Sequence, residues 1–311
     1  MRLLKNFGTL LGAALVAVSI GGMAQAADPL VSVDWVKANT GADGVVFVDL
    51  RPATDYLRGH IPGAVNTNYG KDGWREAQGP VPGQLPKDTA KLAGVIGNLG
   101  IGNSSHVVLV PPGKNSTDMG IGTRLYWTFK VLGHEEVSIL DGGMAAYLAE
   151  QKDKKPVNPL EKGAAKPEAQ TFAVNLNKDM VISIDDVKAA GENGIQLVDA
   201  RTADQYLGVN RHGKSKASGT IDGARNLPQS WMTENGGGKF RSTDTLKKLY
   251  AAAGVDTGAP QITFCNTGHW ASMDWFVSSE LLGNKQTKMY DGSMTEWTNA
   301  GQPTTAQITL Q

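Results

Sequence analysis

The sequence predicts an α/β protein built from two copies of one unit, each a mainly parallel sheet flanked by helices. Three observations predict it. Short apolar β-type runs alternate with helical stretches, the pattern of strands joined by covering helices. The same words return 150 positions later: Asp49 with Asp199, and Asp141 with Asp291. Glycine is abundant, 38 of 311 residues, while 41% of the chain is hydrophobic, which fits a turn-rich globular protein and not a disordered one.

The first 26 residues read as a processing signal. Arg2 and Lys5 precede an apolar segment from Leu10 to Ile20, and Ala24-Gln25-Ala26 supplies small residues for cleavage. That segment is too short for a comfortable membrane span, and no later stretch is long and apolar enough to be one. The expectation is a periplasmic or secreted protein, free of the membrane once cleaved. The 30 basic and 30 acidic side chains balance, and losing Arg2 and Lys5 leaves the chain about two charges acidic. Nothing in that balance steers it to nucleic acid or to an anionic membrane.

The first unit, residues 27–150, opens with Ser32 placed as the N-cap of a short helix. Val45–Val48 reads as a buried strand ending at Asp49-Leu50-Arg51. Tyr56, then Gly59-His60-Ile61-Pro62-Gly63-Ala64 and Asn66, follow. A helix over Thr89–Ile101 and strands at Val107–Val110 and Ser138–Leu140 complete the unit, which closes on Asp141-Gly142-Gly143. Residues 151–170, rich in Lys, Glu, Pro and Ala, read as a solvated linker.

The second unit, residues 171–311, repeats the series. Ile182–Lys188 echoes the opening, Leu197-Val198-Asp199-Ala200-Arg201 the strand, Tyr206 the tyrosine, and Gly219–Ala224 and Asn226 the turn. An insertion between Tyr206 and Gly219 carries Arg211, His212, Lys214 and Lys216, read as an exposed loop or as a basic flap near an anionic substrate. A helix over Thr243–Val255, strands at Gln261–Phe264 and Lys288–Tyr290, and the turn Asp291-Gly292-Ser293 follow.

The strand Gln261–Phe264 ends at Cys265, the only cysteine in the chain. A polar turn, Asn266-Thr267-Gly268-His269-Trp270, leads into a helical pattern over Ala271–Leu282. Ligands in open α/β sheets bind beyond the C-terminal strand ends, where this cysteine sits. Loop amides and a helix N-terminus favour thiolate over thiol, so Cys265 is either a reactive nucleophile or an inert buried thiol. One cysteine cannot form an internal disulfide, and an odd one in an exported chain is a candidate free reactive thiol. The five histidines show no metal-ligand spacing, and one cysteine makes no zinc set. No metal and no cofactor is expected.

The Val-Asp-x-Arg strand ends, Gly59–Ala64 and its altered copy Gly219–Ala224, the cysteine loop, and the Asp-Gly-Gly and Asp-Gly-Ser turns together resemble the tandem-domain rhodanese family of sulfurtransferases. The likeness covers nearly the whole chain after residue 26. It implies two rhodanese-like domains, the first non-catalytic: Val107–Val110 runs into Pro111-Pro112-Gly113-Lys114 and meets no cysteine. It also implies that Cys265 takes the outer sulfur of a small-molecule donor, forming a persulfide, and passes it to cyanide or a thiol. Asn266 to Trp270 supplies five backbone amides and no carboxylate for that persulfide. The chain departs from the family in two respects. Thiosulfate enzymes carry cations in the loop, where Asn266 and Thr267 stand here, and both thiosulfate and 3-mercaptopyruvate enzymes commonly place an arginine where Gln205 stands. Arg211, Lys214 and Lys216 are the candidate substitutes; Arg201 reads first as tying its strand end, with Asp199, to a neighbouring loop, and second as a substrate-binding cation. His269 is a candidate for orienting substrate or pairing with the thiolate. Thr267 is compatible with 3-mercaptopyruvate as donor.

Three classes follow: a sulfurtransferase, a cysteine-loop phosphatase, and a non-turnover sulfur carrier serving a periplasmic thiol protein. Phosphatase chemistry wants an arginine fork on the phosphate, and Ala271, Ser272 and Met273 offer none.

Overall fold

The computed structural model describes residues 27–308. The leader expected over residues 1–26 lies outside them. In the first unit the strands are β1 (Leu30–Val31), β2 (Val45–Asp49), β3 (Val65–Asn66), β4 (Glu76–Gln78), β5 (Val81–Gln84), β6 (His106–Val110) and β7 (Val137–Leu140). Its helices are α1 (Val33–Asn39), α2 (Ala53–Arg58), α3 (Thr89–Asn98), α4 (Ser116–Val131) and α5 (Gly143–Ala149). A parallel sheet runs in the order β1-β7-β6-β2-β3, and β4 and β5 form a separate antiparallel hairpin.

The 151–170 segment is more than a linker. A small hairpin, β8 (Gln151–Lys152) with β9 (Lys155–Pro156), opens it. Its later residues are pinned to the first unit: His60 and Glu161 exchange backbone hydrogen bonds, Ala165 N–H donates to Tyr56 Oη, and Gln170 N–H to the Gly97 carbonyl. Most of its side chains remain exposed.

The second unit contains β10 (Gln196–Asp199), β11 (Arg225–Asn226), β12 (Gln261–Phe264) and β13 (Thr287–Met289). Its helices are α6 (Ile184–Lys188), α7 (Ala203–Leu207), α8 (Thr243–Ala252), α9 (Ala271–Phe276) and α10 (Ser293–Asn299). The sheet order is β11-β10-β12-β13. A parallel bridge from Val181 to Met289 stands where Val31 meets Leu140 in the first sheet. After α9 the chain loosens into a π turn over Val277–Leu281, and Gly283 adopts a positive φ of 80° beyond it.

The repeated words make repeated bonds. Arg51 grips Asp49 and donates to the Gly59 carbonyl; Arg201 grips Asp199 and donates to the Gly219 carbonyl. Tyr56 and Tyr206 hydroxyls donate to the carbonyls of Ala64 and Ala224. Asn66 and Asn226 each bridge two strand-end carbonyls. Each motif thus ties a strand end to the loop beyond it, a job internal to its own unit. His60 is such a residue: wholly buried, it stacks on Tyr56 and bonds the Tyr56 carbonyl at 2.8 Å.

The two units share one core. Met119, Leu125, Tyr126 and Phe129 of α4 belong to the same buried cluster as Ala271, Met273, Trp275 and Phe276 of α9. These helices are counterparts, α4 following β6 and α9 following the equivalent strand β12. Between them Thr123 and Ser272 share a hydroxyl hydrogen bond at 2.7 Å, and Tyr126 donates to Glu280 at 2.9 Å. Two further contacts are reciprocal. Asp141, in the turn between β7 and α5, accepts from Phe240 N–H of the second unit; Asp291, in the turn between β13 and α10, accepts from Leu85 N–H of the first.

Candidate active site

Cys265 sits just past the end of β12, 2% exposed, on the wall of a cavity of about 410 Å³ at the junction of the units. Asn266, Thr267, His269 and Trp270 line the same cavity, and the first unit contributes Tyr69, Arg75, Thr117, Asp118 and Ile121. The site is therefore built by both repeats.

The loop is held from below by α10 and the turn before it. Met294 N–H donates to the Cys265 carbonyl and Thr295 N–H to the Asn266 carbonyl. Ser293 Oγ accepts from Cys265 N–H at 3.0 Å and Gly268 N–H at 3.2 Å, donates to the Tyr290 carbonyl at 2.8 Å, and lies 4.0 Å from Cys265 Sγ. Ser293 pays for this position with φ of 50°, in the left-handed region that non-glycine residues avoid. Of the five loop amides expected for a sulfur anion, Gly268 N–H is thus committed to Ser293. Among the described residues those of Asn266, Thr267, His269 and Trp270 have no protein acceptor and remain available to an anion.

Gly268 has φ of 73°, and a Cβ there would lie 2.4 Å from both Arg124 Nη1 and Asp291 Oδ1. Conformation and space both demand glycine. Arg124, buried in α4, reaches across to Asp291 at 2.5 Å and packs its guanidinium over Trp127. Arg75, at the start of the β4–β5 hairpin, donates through Nη2 to the Thr267 carbonyl at 2.8 Å and through Nε to the Gly83 carbonyl at 2.7 Å, with its guanidinium over the Tyr69 ring.

His269 bridges the units. Its Nε2 lies 3.1 Å from the Thr117 carbonyl, and its Nδ1 lies 3.0 Å from Tyr69 Oη. A carbonyl only accepts, so Nε2 carries the proton and Tyr69 donates to Nδ1. Burial, aided by the charge of Arg75, pushes the imidazole down to about 4, so it is neutral at neutral pH. Both nitrogens are spent on the first unit, which makes His269 a positioning residue and leaves no nitrogen to take the thiol proton. Trp270 is held the same way, donating from Nε1 to Thr117 Oγ1 at 3.2 Å.

The cations expected from the second unit stand elsewhere. Arg201, 1% exposed, is consumed by Asp199 and the Gly219 carbonyl. Arg211 donates to the Ser215 carbonyl. Lys214 is exposed, and neither it, Lys216, Arg211 nor Arg201 lines the cavity. From the insertion only His212 reaches the cavity wall, its imidazole held below its ordinary range by burial and by Lys214. Gln205 accepts from Asn266 Nδ2 at 2.7 Å, which steadies the loop.

Comparison with known proteins agrees with this architecture. The model of the rhodanese-like domain matches residues 32–150 and again 183–300. A protein of Mycobacterium tuberculosis, provisionally named thiosulfate sulfurtransferase, is 34% identical over 283 residues, covering 87% of this chain and 94% of its own. One of Haloferax volcanii, named likewise, is 32% identical over 290 residues, covering 88% and 94%. Among solved structures, the 3-mercaptopyruvate sulfurtransferase SseA of Escherichia coli superposes with a TM-score of 0.73 at 27% identity, covering 86% of this chain and 99% of SseA. An anaerobic ergothioneine biosynthesis enzyme of Chlorobium limicola shares the fold alone, with a TM-score of 0.76 at 19% identity. The chain is a tandem-domain member of the rhodanese family, and thus a sulfurtransferase.

Proposed function

We propose that Cys265 carries sulfur from thiosulfate, or a related small anionic donor, to a thiophilic acceptor such as cyanide or a thiol. The Cys265 thiolate attacks the outer sulfur of the donor; the donor's S–S bond breaks and its electron pair leaves with sulfite. The sulfur left on Cys265 is a persulfide anion. An acceptor nucleophile then attacks that terminal sulfur and returns the cysteine as thiolate, so one transfer is split into two displacements. The observation that carries this reading is the placement of the lone cysteine on the cavity wall, beside four loop amides free to receive an anion. The names of the relatives support thiosulfate as donor. Likeness to SseA, with Thr267 in the loop, supports 3-mercaptopyruvate as the second reading.

The test is mass spectrometry of the purified protein after incubation with each donor. A gain of one sulfur, absent from Cys265→Ser and discharged by cyanide, supports the reading. A protein that takes up no sulfur from either donor sinks it, and loading without discharge to any small acceptor would make the chain a carrier for a thiol protein. We further propose that the protein acts in the periplasm, on the strength of Ala24-Gln25-Ala26 behind an apolar segment. N-terminal sequencing of the protein from fractionated cells checks this; an intact Met1 in the cytoplasm refutes it.

A further inference from the structure

Sulfur donors of this kind are anions, yet the catalytic loop contains no cation, Arg201 and Arg211 of its own domain are tied up elsewhere, and Arg225 and Arg241 do not line the cavity. Among the described residues lining the cavity, Arg75 is the one cationic side chain: His212 and His269 are both held toward the neutral form, and Asp118 is acidic. Two of its three nitrogens are anchored, to Gly83 and Thr267, so the guanidinium plane is fixed. Among the described residues Nη1 has no hydrogen-bond partner, and no carboxylate lies within ion-pair distance of the group. The space is reserved as well. Gly83 has φ of 75°, and a Cβ there would fall 1.9 Å from Arg75 Nη2. Arg75 and Cys265 line the same cavity, which places the cation within electrostatic reach of the nucleophile.

We propose that Arg75 of the non-catalytic repeat is the donor-binding residue of the catalytic one, its free edge receiving an oxygen of the anionic group while the sulfur faces Cys265. A guanidinium suits that role because it stays charged when partly buried and presents a fixed fork of donors. This rests on the proposed sulfur transfer for its biological meaning, but the anion site itself is tested without it.

Two measurements decide the matter. In the first, Cys265→Ser is titrated with thiosulfate and with sulfate, read by tryptophan fluorescence, since Trp270 lines the cavity. Saturable binding is expected, weakened about ten- to hundredfold by Arg75→Gln, the range for one charge-assisted hydrogen bond. Arg75→Lys is expected to restore part of it. Gly83→Ala keeps the arginine but displaces it, and is expected to behave as Arg75→Gln. In the second, Cys265 is alkylated with iodoacetate and iodoacetamide; each forms a thioether and releases iodide, but only the first is an anion. Arg75→Gln is expected to slow iodoacetate about tenfold more than iodoacetamide. Equal anion affinity in the parent and Arg75→Gln, or an equal slowing of both reagents, overturns the proposal and leaves Arg75 a brace for the Thr267 carbonyl. Anion binding that depends on Arg75 in a protein that takes up no sulfur would uphold this site while sinking the sulfur-transfer reading.

Discussion

Ser293 and Gly143 occupy the same place in the two repeats and share the same left-handed backbone, with φ of 50° and 59°. Glycine adopts it freely; serine does so at a cost of about 1–3 kcal/mol. The strain is borne in the repeat that holds the cysteine, where the serine hydroxyl gathers the amides of Cys265 and Gly268. In the other repeat there is no cysteine loop to gather, and glycine suffices.

Replacing Ser293 separates strain from function. Ser293→Ala keeps the strained conformation and orphans two buried amides, with an expected loss of about 2 kcal/mol in stability. Ser293→Gly removes the strain and should be less destabilised. Both are expected to lower the rate of sulfur loading about tenfold or more, because the loop loses its clamp. Urea unfolding and loading kinetics on the pair check this; Ser293→Gly with full activity would show the hydroxyl to be idle.

At Gly268 the expectation is severe. Gly268→Ala meets both a left-handed φ that non-glycine residues avoid and the Arg124–Asp291 pair, and is expected to cost about 3 kcal/mol or more. Thermal unfolding should show the loss, and loading should fall below detection in the folded fraction.

The Arg124–Asp291 pair crosses from α4 to the turn before α10, buried on the arginine side. Asp291→Asn leaves a buried guanidinium uncompensated, with an expected cost of about 3–5 kcal/mol. Arg124→Met together with Asp291→Asn removes both charges and should recover part of that loss. A double variant no better than Asp291→Asn alone would show that the pair's charges do not matter.

Acid should loosen the junction through His269. Its folded value, about 4, is below the ordinary 6.5, so the unfolded chain binds the proton first as pH falls. Stability is therefore expected to decline between about pH 6.5 and pH 4, by at most about 3 kcal/mol from this group. His269→Gln should be less stable at neutral pH, having lost Tyr69 or Thr117 as partner, and its stability should depend less on pH in that window. Parallel stability curves for the two proteins would contradict the assignment.

Asp274, in α9, is wholly buried and neither of its oxygens has a partner among the described residues. Burial, with the charge of Asp199 nearby, raises its carboxyl well above the ordinary range. Here the folded chain holds a proton that the unfolded chain releases above about pH 4, so this group costs more stability as pH rises. Asp274→Asn removes that cost. It is expected to raise the melting temperature at pH 8 more than at pH 5; a gain independent of pH would refute a titrating Asp274.

Much of the scaffold was legible because it is local. Val45–Val48 and Gln261–Phe264 announce themselves as apolar runs, and the doubling shows in words such as Asp49 and Asp199 repeated at a fixed interval. Ser293 was visible as the Asp-Gly-Ser variant of Asp-Gly-Gly, though its bond to the loop was not. The cations were misplaced for a plain reason. Arg201 is tied to its strand end with Asp199, as its repeat of Arg51 suggests, but sequence shows only that Arg211 carries charge, not that the Ser215 carbonyl takes it up. Arg75, Tyr69, Thr117 and Arg124 stand in the other repeat, some 150 to 200 residues before the groups they touch. No periodicity or motif spans that distance; only the packing of α4 on α9 brings them in.

Because the cavity borrows its walls from both halves, the half without a nucleophile cannot be shed. Severing the chain near residue 170 would leave a thiol with its loop unbraced at Thr267, His269 and Trp270, facing solvent where Tyr69 and Arg75 had stood.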